Sequence, residues 1–161
     1  LLADPPWRYD YAPSISRAIE QKYATLEIDE LGALPVSRLL APASVMFLWA
    51  TAPKLREALT LLESWGLTYR THGVWDKGRL GMGYWFRGQH ELLLVGTCGQ
   101  MPPPPESQRI GSIIREKRSQ QHSRKPAVVR KLLESWYPGH RGLELFATEA
   151  PEGWTVWPDS T

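Results

Sequence analysis

Leu1-Leu2-Ala3-Asp4-Pro5-Pro6-Trp7 is a short apolar run that stops at an acid, two prolines and a tryptophan. This pattern is typical of the carboxyl end of a buried strand that runs into a rigid loop. Open α/β sheets bind their ligands at that end of their strands, so we interpret residues 4–7 as an active-site loop. The alternative from spacing alone is a strand-ending Pro-Pro turn with a half-buried tryptophan, since turns rich in Asp and Pro are common.

The residue types of this loop suit methylation of an amino group that is conjugated to a ring. The exocyclic amine of adenine is a poor nucleophile because its lone pair is delocalised, so acceptors that hold its N–H groups would raise its reactivity. Asp4 offers carboxylate oxygens and Pro5 a carbonyl, and proline fixes φ without adding a competing N–H. Trp7 offers a flat face on which a flipped base could stack.

The composition predicts one domain with a slight basic bias. The 161 residues carry a net charge of +2, which permits a nucleic-acid partner without requiring one. The single Cys98 excludes an internal disulfide and is expected in the core. Since neither a signal peptide nor a membrane-length apolar run is present, we expect no membrane partner and a cytoplasmic location. The chain opens within a strand, so we expect that it lacks a short N-terminal segment.

Apolar periodicity along the chain predicts an α/β fold. The run 44–50 predicts a strand buried on both faces, and Thr51-Ala52-Pro53 begins a helix at 54–65 that Gly66 ends. Strand, helix and the next strand at 67–75 in succession indicate a parallel sheet. The remaining pattern predicts strands at 92–97, 110–114, 143–147 and 154–157, helices at 15–23 and 127–137, and helical spacing at 28–40 that is broken at Pro35.

Two irregular segments are candidates for contact with a substrate. Residues 76–90 are rich in Gly, Arg and aromatic side chains, which suit phosphates and bases; the alternative is an ordinary mobile surface loop. Residues 100–124 form a Pro-rich and basic excursion. The default interpretation is a solvated basic face, but a nucleic-acid backbone could also lie along these cations. The basic residues of this segment and just beyond it are Arg115, Lys117, Arg118, Arg124, Lys125, Arg130 and Lys131.

Six blocks of the chain together resemble the MT-A type adenine-N6 methyltransferases, the family of the catalytic subunit that methylates adenine in messenger RNA. In the order of that family they are Asp4-Pro5-Pro6-Trp7, Leu48-Trp49-Ala50-Thr51, Gly81-Met82-Gly83-Tyr84, Gln89-His90-Glu91-Leu92-Leu93-Leu94, His122-Ser123-Arg124-Lys125-Pro126 and Leu143-Glu144-Leu145-Phe146-Ala147. The residues in these blocks are more similar to those of the bacterial and phage members than to those of the eukaryotic ones.

The resemblance implies a single methyltransferase domain over residues 1–161. Its fold would be Rossmann-like, with a mostly parallel sheet, helices on both faces and a circularly permuted order of motifs. The implied reaction is transfer of a methyl group from S-adenosylmethionine to the N6 amine of adenine in a nucleic acid, with DNA favoured over RNA. The family pairs active with inactive copies, which leaves a homo- or heterodimer open.

The resemblance also implies a site in two halves. The catalytic residues would be Asp4, Pro5, Pro6 and Trp7, and the substrate contacts Trp7, Tyr23, Trp75, Lys77, Arg87 and Glu91. The cofactor contacts would be Ala3, Asp4, Ser123, Lys125, Glu144, Phe146, Thr148, Asp159 and Ser160. Thr148 stands where an arginine is usual, and Pro158-Asp159-Ser160 replaces a Gly-Asn-Glu/Gln ending, so the donors offered to the cofactor differ there.

Two further features bear on ligands at the predicted helix 127–137. A helix N-terminus with Ser123 and Lys125 beside it would hold a carboxylate, and S-adenosylmethionine has one. His122 has no second ligand at a suitable spacing, so no metal site is predicted.

Three other functions fit parts of the pattern. A cytosine-N4 methyltransferase needs a similar loop with an acid or serine before Pro-Pro. A partner subunit without catalysis would keep the fold, although the intact residues 4–7 argue against it. A basic nucleic-acid-binding protein would explain the Arg and Lys cluster but not the acid-proline loop.

Overall fold

The computed structural model describes residues 1–9, 26–116, 125–147 and 151–158. Within these ranges seven strands form one sheet, and three α-helices accompany it. The strands are β1 Leu2–Ala3, β2 Ser44–Ala50, β3 Thr68–Asp76, β4 His90–Cys98, β5 Ile113–Arg115, β6 Gly142–Leu145 and β7 Trp154–Trp157. The helices are α1 Ile28–Ala33, α2 Leu55–Ser64 and α3 Ala127–Trp136, with 3-10 turns at Val36–Leu39, Ala52–Lys54 and Glu106–Gln108.

The sheet is mixed but mostly parallel, which confirms that part of the prediction. Its order is β5-β3-β4-β2-β1-β6-β7, and β4 alone runs against its two neighbours. The two strands on either side of α2, β2 and β3, run parallel as expected, but β4 lies between them in the sheet. Residues 77–89 return the chain beside β3 as a hairpin, and an antiparallel pair needs no crossover helix.

Helices cover both faces of the sheet, as β2 shows most clearly. Successive side chains of a strand point to opposite faces, so a fully buried strand is mostly apolar, and Ser44, the one polar residue of β2, donates to Ala41 O at 3.0 Å. One set of its residues packs with α2, in a cluster that includes Met46, Leu48, Ala50, Ala58, Leu61 and Leu62. The other set packs with α3, in a cluster that includes Val45, Phe47, Trp49, Val129 and Leu133.

Most predicted element bounds hold within one or two residues. The helix expected at 54–65 is α2, and Gly66 ends it with φ of +82°, where its amide donates to Glu63 O at 2.9 Å. The strand expected at 143–147 ends earlier, at Leu145, because Phe146 adopts φ of +66° and turns the chain. The helix expected at 15–23 lies outside the described residues. None of the described helices has the length and apolarity to cross a membrane.

Candidate active site at the carboxyl edge of the sheet

The predicted site residues converge on one edge of the sheet. Asp4 directly follows β1, and Lys77 directly follows β3. Glu91 lies at the start of β4, opposite Trp75 of β3. Because β4 runs antiparallel, its amino end meets the carboxyl ends of the parallel strands. Lys125 reaches the same edge from the segment that leads into α3.

Four charged side chains form a continuous ion-paired cluster there, which we call the catalytic cluster: Asp4, Lys125, Glu91 and Lys77. Lys125 Nζ lies 2.9 Å from Asp4 Oδ2 and 3.2 Å from Glu91 Oε2. Lys77 Nζ lies 3.3 Å from Glu91 Oε1. The Asp4 side chain is 36% exposed and the other three are 14–22% exposed, so Asp4 is the member that a substrate reaches most easily.

Burial and charge act in opposite directions on the two central groups of the catalytic cluster. Burial raises the pKa of Asp4 above its usual value, and the charge and hydrogen bond of Lys125 offset only part of that rise. Burial lowers the pKa of Lys125, but Asp4 and Glu91 together raise it further, so the ammonium stays protonated. Lys125 therefore supplies the positive charge that favours an ionised Asp4.

The loop after β1 is held rigid by its own hydrogen bonds. The amide of Trp7 donates to Pro5 O at 2.8 Å, and the amide of Leu26 donates to Pro6 O at 3.0 Å. The indole Nε1 of Trp7 donates to Trp49 O at 3.1 Å, and the residue is only 7% exposed. The stacking face expected on Trp7 is therefore not available, and the residue anchors the loop instead.

Trp75 is a second correction to the predicted substrate contacts. It is 2% exposed, its Nε1 donates to Glu116 O at 2.7 Å, and its ring meets Trp49 edge-on at 5.9 Å. Trp75 thus supports the floor of the site. Arg87 lies on the exposed hairpin between β3 and β4, where its Nε donates to Gly81 O at 2.6 Å. Tyr23 lies outside the described residues.

The expected cofactor residues Glu144 and Phe146 lie beside the loop. Ala3 pairs with Leu145 of β6, so β6 ends next to Asp4. Glu144 Oε2 lies 2.7 Å from Arg130 Nη2, and Phe146 follows at the turn, with its amide donating to Trp157 O at 2.9 Å. Ala3 is fully buried between β2 and β6, so the cofactor contact expected of it is not open in this structure. Ser123, Thr148, Asp159 and Ser160 lie outside the described residues.

The start of α3 already holds a carboxylate of the protein itself. Glu116 accepts the amides of Ala127 and Val128 through Oε1 and Oε2, at 3.0 and 3.2 Å. The anion-binding character predicted for this helix start is therefore used by Glu116. A cofactor carboxylate could take these two amides only by displacing it.

Two cations of the expected basic face pair with carboxylates of the protein itself. Lys125 pairs with two carboxylates, and Arg130 pairs with Glu144 while its guanidinium lies 5.9 Å from the centre of the Trp154 ring. Lys117, Arg118 and Arg124 lie outside the described residues. Of the cations expected to follow a nucleic-acid backbone, Lys125 and Arg130 thus serve the site and its frame.

Sequence reasoning missed a group of residues beside the catalytic cluster. Tyr9 Oη lies 2.7 Å from Thr51 Oγ1, and Lys54 Nζ lies 5.4 Å from the centre of the Tyr9 ring. Burial raises the pKa of Tyr9, so its phenol stays neutral at neutral pH. Thr51 carried a usable signal, because it directly follows a buried strand just as Asp4 does. Tyr9 carried none beyond its nearness to Trp7.

Two buried donors in the described part of the chain lack an acceptor, Trp49 Nε1 and Arg130 Nε. Both lie where the sheet meets the first turns of α3, since Trp49 packs in one cluster with Val129. Buried donors are normally satisfied, so this region fits a ligand that brings acceptor oxygens, as the amino-acid carboxylate of S-adenosylmethionine does. Within the described ranges no three His, Cys, Asp or Glu side chains are grouped as metal ligands.

The fold and site together define an α/β protein with an acid-proline-proline loop at the carboxyl edge of its sheet. A family model for MT-A70 matches residues 1–160, and the chain belongs to the MT-A70 family. It is thereby an adenine-N6 methyltransferase.

Relatives from bacteria, plants and animals are similar over nearly the whole chain. The type II methyltransferase M.MunI of a Mycoplasma species is 31% identical over 98% of the chain and 75% of its own length. The MT-A70-like N(6)-adenosine-methyltransferase of Arabidopsis thaliana is 30% identical over 96% of the chain, and the human catalytic subunit METTL3 is 29% identical over 91%. The chain spans only 22% and 25% of those two proteins.

Proposed function

We propose that the chain transfers the methyl group of S-adenosylmethionine to the N6 amine of adenine in DNA. The observation that carries this proposal is the Asp4 carboxylate, which is partly exposed, paired with Lys125 and mounted on a rigid Pro-Pro loop. We also propose that residues 1–161 form one Rossmann-like methyltransferase domain with a permuted order of motifs. The support is that the acceptor loop follows β1, while the expected cofactor residues follow β6, its neighbour in the sheet.

Asp4 and Pro5 would orient the amine. Lys125 contacts Asp4 Oδ2, and we assign Oδ1 to one N–H of the amine. The Pro5 carbonyl uses one lone pair for the Trp7 amide, and its second lone pair suits the other N–H. Two fixed acceptors would hold the nitrogen lone pair toward the methyl donor and stabilise the positive charge that develops on nitrogen. Lys77 and Glu91 would keep Lys125 in place.

The cofactor half would be built on the ends of β6 and β7. Phe146 supports this assignment, because a bulky residue with φ of +66° is rare and such strain is concentrated at functional sites. Glu144, fixed by Arg130, would accept hydrogen bonds from the cofactor, and Trp49 Nε1 would donate one. When bound, the cofactor supplies an electrophilic methyl group on sulfur. Ser123, Thr148, Asp159 and Ser160 remain predicted contacts.

DNA is proposed as the substrate because of the pattern of relatives. The chain covers 75% of M.MunI but only about a quarter of the plant and animal proteins, whose names specify adenosine, a ribonucleoside. We further propose that residues 76–90, including Arg87, contact that substrate. An enzyme that methylates a nucleic acid with S-adenosylmethionine would work in the cytoplasm, in this case the cytoplasm of a bacterial or phage-infected cell.

Replacement of Asp4 by asparagine tests the mechanism. Asp4→Asn keeps the shape of the side chain and removes its charge, so kcat should fall about 10²–10³-fold, the cost of losing one preorganised electrostatic contact. Binding of S-adenosylmethionine should remain measurable by calorimetry, because the other expected cofactor contacts are unchanged. Asp29→Asn, on the exposed start of α1, is the matched control and should keep full activity. Full activity of Asp4→Asn would overturn the role of this carboxylate.

The identity of the product tests the substrate. Labelled methyl groups should enter duplex or single-stranded DNA in preference to RNA, and mass spectrometry should find N6-methyladenine. Preference for RNA would overturn the DNA assignment. N4-methylcytosine would overturn adenine as the acceptor, and the absence of S-adenosylmethionine binding would overturn the enzyme itself.

A further inference from the structure

The hairpin between β3 and β4, residues 77–89, projects from the catalytic edge and is here called the finger. Its two arms are tied by backbone hydrogen bonds from Lys77 N to Gln89 O at 2.9 Å, from Gly81 N to Gly88 O at 2.7 Å and from Gly88 N to Met82 O at 2.8 Å. At its base, Asp76 Oδ1 accepts from both Gly78 N and Gln89 Nε2. The finger is therefore a built element with a defined tip.

Glycine is required at two positions for the finger to close. A Cβ at Gly83 would lie 2.0 Å from Phe86 O, and one at Gly81 would lie 2.6 Å from Gly88 O. Gly83 also has φ of +153°, a conformation that other residues rarely adopt. The arm that leads to the tip thus has no room for a side chain at these two positions.

The tip presents three consecutive aromatic rings to solvent. Tyr84 is 87% exposed, Trp85 97% and Phe86 91%. Leu80 and Met82 beside them are 63% and 72% exposed. Such a concentration of apolar surface marks a binding site, because single exposed apolar residues are common but contiguous large ones are not.

The charge around the tip favours an anionic partner. Residues 77–89 contain Lys77, Arg79 and Arg87 and no acidic side chain. Arg79 and Arg87 are both exposed. Aromatic faces combined with cations are the chemistry that binds single strands and opened steps of a nucleic acid, where the rings take bases and the cations take phosphates.

The finger is also joined directly to the catalytic cluster. Its first residue is Lys77, which pairs with Glu91 just beyond its second arm, and Lys125 connects Glu91 to Asp4. Each arm has about six residues, so at about 3.3 Å per extended residue the tip lies within about 20 Å of Glu91. A strand whose adenine enters the site at Asp4 would pass within reach of the tip.

We propose that Tyr84, Trp85 and Phe86 form an aromatic wedge that stacks on bases next to the target adenine and keeps the flipped strand open. Extrusion of a base unstacks its neighbours, and an aromatic ring that takes the vacated stacking position recovers part of that free energy. The proposal rests on the proposed function for the identity of the substrate. It adds residues that bind the substrate without touching the reacting atoms.

Binding of a fluorescein-labelled duplex DNA, followed by anisotropy, is the main test because it does not depend on methyl transfer. Trp85→Ala and Phe86→Ala should each weaken binding about tenfold, as expected for the loss of one stacked ring. Both side chains are exposed, so the melting temperature and the affinity for S-adenosylmethionine should not change. Tyr69→Ala is the matched control, an aromatic residue at 37% exposure near the start of β3, at the opposite edge of the sheet from the finger, and should bind normally.

Two further variants separate stacking from charge. Trp85→Phe keeps an aromatic ring and should retain most of the affinity, whereas Trp85→Leu should behave as Trp85→Ala does. Arg79→Gln should weaken binding and lower the salt dependence by about one counterion, while the aromatic variants leave the salt slope unchanged. A duplex with 2-aminopurine at the target adenine should show less fluorescence from the flipped base with Trp85→Ala.

The alternative outcomes separate the wedge from the proposed function. If Trp85→Ala binds duplex DNA as tightly as the wild type while the wild type methylates adenine, the wedge is wrong and the proposed function stands. If the wild type binds DNA through the tip but transfers no methyl group, the wedge stands and the proposed function fails. If the wild type sediments as a dimer and Trp85→Ala as a monomer, the tip holds a second copy of the chain instead.

Discussion

The catalytic cluster and the tip of the finger are joined by Lys77 and Glu91, yet their functional groups differ in pairing and in exposure to solvent. In the cluster, three contacts of 2.9–3.3 Å join two carboxylates to two ammonium groups, and all of these side chains except Asp4 are largely buried. At the tip, three aromatic rings are almost wholly exposed and two exposed arginines stand beside them.

The difference follows from what each region has to do. Orienting a small amine requires fixed charges, and a carboxylate is fixed best by a partner of the same protein, as Lys125 fixes Asp4. Binding a long strand requires area, and apolar area remains exposed until the strand covers it. Substitutions in the cluster should therefore act on the rate of methyl transfer, and substitutions at the tip on affinity for DNA.

After loss of Asp4 itself, loss of Lys125 should have the largest effect. Lys125→Met leaves Asp4 and Glu91 without their shared cation, so kcat should fall about 100-fold. Unfolding free energy should drop by about 2 kcal/mol, less than for a fully buried pair because Asp4 is still partly exposed. Lys125 lowers the pKa of Asp4, whereas burial and Glu91 raise it. Its removal therefore raises that pKa, and the acid limb of the pH profile of kcat should move to higher pH.

Lys131→Met is the control for this prediction, since Lys131 is an exposed lysine of α3, the helix that follows Lys125. It should leave the pH profile of kcat and the unfolding free energy unchanged. An acid limb that moves to lower pH in Lys125→Met would contradict the view that Asp4 must be ionised with help from Lys125.

Distortion of the tip should have an intermediate effect and spare the cluster. Gly83→Ala places a Cβ against Phe86 O, so the turn must rearrange and the wedge is misaligned. Duplex DNA should bind about tenfold more weakly, as with loss of one stacked ring. Affinity for S-adenosylmethionine, measured by calorimetry, should not change. Gly32→Ala, where a Cβ meets only the Ser64 side chain at 3.5 Å, is the control; equal effects of the two variants would count against a defined tip.

Removal of the Trp7 indole donor should have the smallest effect. Trp7→Phe loses the hydrogen bond to Trp49 O but keeps a buried ring, so the unfolding free energy should fall by about 1 kcal/mol. Affinity for DNA should not change, because Trp7 offers no open face. Chemical denaturation and anisotropy measure the two quantities. Trp85→Phe is the exposed comparison and should leave stability unchanged; a large loss of DNA affinity in Trp7→Phe would restore its stacking role.

Much of the fold followed from local patterns. The bounds of β2 were predicted without error, because the six successive apolar residues after Ser44 fit best in a strand with both faces covered. α2 followed from its apolar stripe and from Gly66. The place of β4 could not be predicted in this way, because which strands become neighbours depends on the path of the connecting chain and not on the composition of either strand.

The candidate site likewise contains residues that the sequence predicted and residues that it did not. Asp4, Lys77, Glu91 and Lys125 were recognised one by one, and their positions in the sheet bring them together. The orientation of Trp7 and Trp75 was not recognised, because an indole beside a site can face the ligand or anchor the chain with equal propensity. Glu116 at the start of α3 was missed because no local pattern links it to Ala127.

The sequence by itself determined that an acid-proline-proline loop follows a buried strand, and that a Gly-rich aromatic segment precedes Glu91. Backbone stiffness and apolar periodicity act over a few residues, so they can be read directly. Only the tertiary structure decided that Lys125 lies between Asp4 and Glu91, that Trp7 and Trp75 turn inward, and that Trp85 stays outside. Those outcomes depend on which groups find a partner or a covering side chain from distant parts of the chain.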